Sequence, residues 1–202
     1  MGTVLAALFF ALAAYIGVAL AGTITLNERL DGSPAPSEPP VPIIVGGAAI
    51  IGALIAMQYV DSERLLLSAI VVCALAAIWC TDVRHGIVPD VFTLIPLALI
   101  FIVAVLRREP GPFIWAAIPF AAFAATAAIS KGRGMGWGDV KLAALGGAVL
   151  GGEIALLAFC AGCLAAVAYS YVRGGGSRAV PIAFAPYLAS AIAVALPIAV
   201  SR

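Results

Sequence analysis

Charge is what this chain has least of. Lys and Arg number 11 and Asp and Glu 10 among 202 residues, so charged side chains make up 10%, against about a quarter in soluble domains. A net charge of +1 with no basic run excludes a nucleic-acid surface. There is one histidine, His85, so no triad or metal site needing two imidazoles can be built. No GxxxxGK[ST] nucleotide loop occurs. The four cysteines, Cys73, Cys80, Cys160 and Cys163, all lie in apolar runs. Cys160 and Cys163 have the CxxC spacing that elsewhere serves redox or metal chemistry. Inside a spanning helix they read as small packing residues, as do Cys73 and Cys80 on one face of another helix. Neither a metal nor another cofactor is expected.

What the chain does have is apolar length. Hydrophobic residues make up 64% of it, and a span needs about 20 of them in succession. Eight candidate spans follow: 2–22, 42–60, 65–81, 89–106, 112–130, 139–152, 154–172 and 180–200. The expected fold is an all-α polytopic transmembrane bundle of about eight spans, or six or seven if the sixth segment is re-entrant. The first span lacks a positive n-region and reads as retained rather than cleaved. The linker 23–41 is acidic and broken by Pro34, Pro36, Pro39 and Pro40, so it cannot hold a helix. The expected organisation is an N-terminal span at 1–22, a cytoplasmic linker at 23–41 and a membrane domain at 42–202.

The distribution of cations orients these spans. With both termini outside, the inside loops carry Arg29, Arg84, Lys131, Arg133, Lys141, Arg173 and Arg178. The outside then holds Arg64, Arg107, Arg108 and Arg202. Seven against four favours that orientation, and it puts Asp82 and Asp139 on one side of the membrane.

Those two aspartates are the candidate chemistry. A carboxylate beside lipid is expensive and reads as functional, with a partner expected. Asp139 closes a run with glycine at every second position, Gly132, Gly134, Gly136 and Gly138. Asp82 ends an apolar segment and is followed by Pro89 and Asp90. Two neighbouring carboxylates cannot both ionise comfortably, so one proton is shared. One member then takes a proton from water while the other gives one to the scissile amide. The competing reading is two loop aspartates capping helices. Asp90 reads as the cap of the fourth helix. Lys141 reads as an interfacial side chain or as a cation acting on a nearby carboxylate. Small residues recur every four positions in the sixth segment, as Ala143, Gly147 and Gly151 and as Ala144, Ala148 and Gly152. That spacing permits close packing in lipid, expected to be against the third helix.

Gly136-Trp137-Gly138-Asp139 resembles the GxGD signature of intramembrane aspartyl proteases. Asp82 with Pro89 and Asp90 is similar to the first aspartate motif of bacterial type IV prepilin peptidases, and Gly134 to Leu142 to their second. Pro181 to Tyr187 matches the family's late proline-phenylalanine-glycine-proline segment only at Phe184 and Pro186; Ala183 and Ala185 stand where the first proline and the glycine are usual. The presenilin branch fits less well, having a PAL triplet and a Tyr where Thr81 precedes Asp82 here. The resemblance implies an aspartic endopeptidase with Asp82 and Asp139 catalytic. Gly134, Gly136, Trp137, Gly138, Pro89 and Lys141 would lie along the substrate. It implies prepilin-like substrates cut at the cytoplasmic face of the inner membrane, with lipid as the other partner. Larger relatives carry a zinc-binding domain after the first span and methylate the product with S-adenosylmethionine. The linker 23–41 has no cysteine for such a domain, so zinc and methylation are not expected. From another class, the two aspartates would suit a scaffold or a small proton-coupled transporter, though transporters more often keep such groups near mid-membrane.

Overall fold

A computed structural model describes residues 2–26, 40–58, 61–129, 135–174 and 183–201. Among them are eight α-helices and no strand. The helices are α1 (Thr3–Leu26), α2 (Val41–Ala56), α3 (Ser62–His85), α4 (Asp90–Arg107), α5 (Gly111–Ile129), α6 (Trp137–Leu150), α7 (Gly152–Arg173) and α8 (Ala185–Val200). Five are long and apolar enough to cross a bilayer: α1, α3, α4, α5 and α7. Helices α2 and α8 are apolar but have 16 residues, about 24 Å at 1.5 Å per residue. Helix α6 has 14 residues, about 21 Å against the roughly 30 Å of a hydrocarbon core.

Enclosure, not hydrophobicity, separates the helices. In α3 two thirds of the apolar window is buried, whereas in α5 only 17% is. Helix α6 is buried from Asp139 to Ala148 except at Lys141. The two helices that carry the candidate aspartates are thus the inner ones. Helix α3 packs on α1, α8 and α4; helix α6 packs on α5, α8, α4 and α7. The expected contact of α6 with α3 is not made beyond a marginal touch among the described residues. The small-residue face of α6 meets α5 instead. A Cβ on Gly147 would stand 2.0 Å from the carbonyl oxygen of Trp115 and 2.6 Å from Pro119 Cγ. Helix α8 lies against both α3 and α6 and joins them.

Several helix ends differ from the sequence reading, each for a local reason. Helix α3 starts at Ser62 rather than 65, because Ser62 and Glu63 suit the positive end of a helix dipole. It also runs past Asp82 to His85, closing on Gly86 in the left-handed region at φ 65°. Helix α2 stops at Ala56, short of 60. Helix α8 starts at Ala185 rather than 180, with Pro186 in its first turn where its missing N–H costs nothing. Pro181 and most of the linker 23–41 lie outside the described residues, as do Arg29, Lys131, Arg133, Arg178 and Arg202 of the charge count. The linker's described ends, at 23–26 and at Val41, are helical, contrary to expectation, because its prolines lie between them and α1 runs on to Leu26 while α2 starts at Val41.

At the end of the bundle away from the aspartates, Arg107 pairs with Glu63 at 2.5 Å, tying the end of α4 to the start of α3. A cavity of about 250 Å³ lies beside this pair, lined by Ala148, Val149, Ala199 and Val200 among others. A second space of about 330 Å³ between α1, α2, α3 and α8 is almost wholly apolar. Neither is lined by Asp82 or Asp139.

Candidate active site

The last turn of α3 and the first turn of α6 bring Asp82 and Asp139 to one end of the bundle. Their residues are 7% and 9% exposed, so both carboxylates are held largely away from water. They stand within Coulombic reach of each other. Buried polar atoms need partners, and each carboxylate has a backbone one. The N–H of Ala185 donates to Asp82 Oδ2 at 3.1 Å. The N–H of Gly136 donates to Asp139 Oδ2 at 3.2 Å.

The two anchors arise in the same way. The first N–H groups of a helix have no carbonyl to receive them and carry the positive end of the dipole. Ala185 is the first residue of α8, so α8 aims its N-terminus at the side chain of Asp82. Gly136 is the N-cap of α6 and Asp139 its third residue, so Asp139 reaches back to its own helix start. That is one half of a capping box; Gly136 has no side chain to make the other half. Asp139 is therefore not the N-cap residue of α6, although it serves the same terminus.

Ala185 was invisible to sequence reasoning as a partner of Asp82. It sits in the segment that departs from the resembled pattern, where alanine replaces a glycine. Since the contact is through a backbone N–H, that departure leaves the donor intact. The only available signal was the position itself, a residue at the start of a helix just before Pro186.

The remaining candidates divide. Gly138 packs on the loop after α3: a Cβ there would lie 2.6 Å from Val88 Cβ, so only glycine admits this approach. Pro89 is the N-cap of α4 and half-buried. Gly136 and Trp137 are exposed at the start of α6, with Trp137 59% accessible. Gly134 lies outside the described residues. Asp90 does not cap α4, because Pro89 holds that position and no side-chain cap bond forms. Its carboxylate goes instead to Lys141 Nζ at 2.5 Å. Thr81 is turned back on its own helix, donating to the carbonyls of Ala77 and Ile78. His85 Nε2 is buried without a hydrogen-bond partner among the described residues. The thiols are free: Cys80 is buried, Cys73 and Cys163 are half-buried and Cys160 is exposed.

The model of the type IV leader peptidase family matches residues 69–171, half of the chain. That region takes in both aspartates and stops short of Ala185. No curated protein and no solved structure matches the chain.

Proposed function

The chain belongs to the type IV leader peptidase family, and from that premise we propose that it is a membrane-embedded aspartic endopeptidase. Its substrates are prepilin-like subunits, cut between a basic leader and an apolar helix at the cytoplasmic face of the inner membrane. The observation that carries this reading is the pair itself. Two enclosed carboxylates from different helices lie at one end of the bundle, each held by a helix-start N–H through one oxygen.

Such a pair hydrolyses an amide without a metal or a covalent intermediate. One carboxylate accepts a proton from water as its oxygen bonds to the scissile carbonyl carbon. The partner carboxylic acid hydrogen-bonds the carbonyl oxygen and later protonates the leaving nitrogen as the C–N bond breaks. The exposed start of α6 at Gly136 and Trp137 offers extended substrate a place to lie. The family match and the enclosure of both aspartates support this reading over a scaffold or transporter.

The test is co-expression with a prepilin-like subunit whose leader ends in glycine, followed by mass measurement of the product. Loss of the leader supports the reading. An intact precursor across a panel of such subunits overturns it.

The same assay checks the expectation that the enzyme is a peptidase alone. With S-adenosylmethionine supplied, the product should carry no added methyl group. Replacing 27–39 by a short Gly/Ser link should leave cleavage within about twofold, since that segment is acidic, proline-rich and without a thiolate or imidazole for zinc. A methylated product, or loss of cleavage on replacement, would give the linker a role denied to it here.

A further inference from the structure

We propose that the ion pair between Asp90 and Lys141 is a positioning clamp that holds Asp139 in register with Asp82. The proposal rests on the peptidase reading for its functional consequence and on geometry for its existence.

The need for such a device follows from the packing. Helices α3 and α6 carry the two aspartates but share little direct contact. Their relative position is set by whatever bridges them. Helix α8 is one bridge, through the N–H of Ala185 on Asp82. Helix α4, which packs on both, is another, and the connection from α3 leads into it. That connection is short, residues 86–89, and is fastened to α3 where the Gly86 N–H donates to the carbonyl of Asp82 at 2.8 Å. The connection and the first residue of α4 then each meet α6 once. Val88 lies over Gly138, the residue before Asp139. The Asp90 carboxylate takes the Lys141 ammonium at 2.5 Å, two residues beyond Asp139. The two contacts thus bracket Asp139 along the chain.

Lys141, the fifth residue of α6, lies just past the turn in which the helix dipole is felt, and its ammonium engages Asp90, which at the start of α4 sits where an anion is favoured. The side chains are 30% and 59% exposed, so the attraction alone contributes little to stability. Its consequence is where it holds α6, because a small misplacement of a reacting group costs far more rate than binding.

The experiment measures steady-state cleavage of a prepilin-like subunit by Asp90→Asn, Lys141→Gln and the exchanged pair Asp90→Lys with Lys141→Asp. The clamp predicts that each single change lowers kcat about five- to tenfold with KM within about twofold, and that the exchange recovers most of the loss. Unchanged kcat in both singles overturns it. A rise in KM alone also overturns it, making these side chains contacts to the leader. So does an exchanged pair no better than the singles. A second readout is independent of turnover. With the four native cysteines replaced by alanine, the thiols introduced by Asp82→Cys and Asp139→Cys are joined by bismaleimides of graded length. The intact pair should select a narrow range of lengths, Lys141→Gln should broaden it, and the exchange should narrow it again. An unbroadened range in Lys141→Gln overturns the clamp, and the result decides the matter even if no subunit is cleaved and the peptidase reading fails.

Discussion

Asp82→Asn and Asp139→Asn should each slow leader cleavage by about two to four orders of magnitude, the range that a positioned general acid or base contributes. The fold should survive both changes. Asparagine keeps the shape of the carboxylate and an oxygen to accept the N–H of Ala185 or of Gly136. It also removes a charge from a site 7% or 9% exposed, where a charge is costly to bury. The variants should therefore melt in detergent at or above the wild-type temperature, as replacements of strained functional groups often do. The double variant should be no slower than either single one, because the pair acts as one unit and half of it has no separate use. Cleavage rate by mass spectrometry and thermal melts on the same preparations check all three statements. Near-normal cleavage by either single variant would end the aspartic mechanism. Loss of cleavage together with loss of folding would call for Asp→Glu in place of Asp→Asn. These losses should far exceed the five- to tenfold expected at Asp90.

The aspartates were legible because their neighbours constrain the backbone. A glycine that only glycine can fill, Gly138 against Val88, leaves a mark in the sequence. So does a helix stop such as Gly86, although hydropathy alone ends the third span at the first charged residue, Asp82. The difference has a physical cause. Lipid rejects a carboxylate, but the interior of a bundle accepts one when another helix supplies a donor. The supply of that donor was not legible. Any residue but proline has a backbone N–H, so nothing in the identity of Ala185 announces a partner 103 positions away. The Asp90–Lys141 pair, 51 positions apart, was hidden for a similar reason. Asp90 had a sufficient local explanation as a cap, and Lys141 read as an interfacial side chain or as a cation acting on a nearby carboxylate, with nothing to say which carboxylate.

The partner of α6 was misread on other grounds. Small residues every four positions say that something approaches closely, not what approaches. In a soluble helix the polar face would narrow the choice, but α5 and α6 are apolar nearly all round, so no face is marked. Only the assembled bundle reveals that the close neighbour is α5.

That neighbour makes Gly147, like Gly17 against the backbone of Cys73, a described residue whose enlargement should damage the structure severely. Gly147→Leu is expected to lower stability by about 1–3 kcal/mol or more, the range of overpacking in a tight core. The clash cannot be relieved by a rotamer change. A Cβ at this position stands 2.0 Å from the carbonyl oxygen and 3.0 Å from the carbonyl carbon of Trp115, which are backbone atoms of α5. The helices must part, and α6 is the helix that places Asp139, so cleavage should fall with stability. Gly147→Ala should already show part of the loss, which is diagnostic because alanine is favoured over glycine in a helix interior by up to about 1 kcal/mol. Gly46→Leu in α2 is the matched control, since nothing lies within 4 Å of a Cβ there. It gains helix propensity without a clash and should be neutral or slightly stabilising. Denaturant titration of the three variants in one detergent measures the difference. A Gly147→Leu protein as stable as Gly46→Leu would mean that α5 and α6 do not approach as closely as this packing requires.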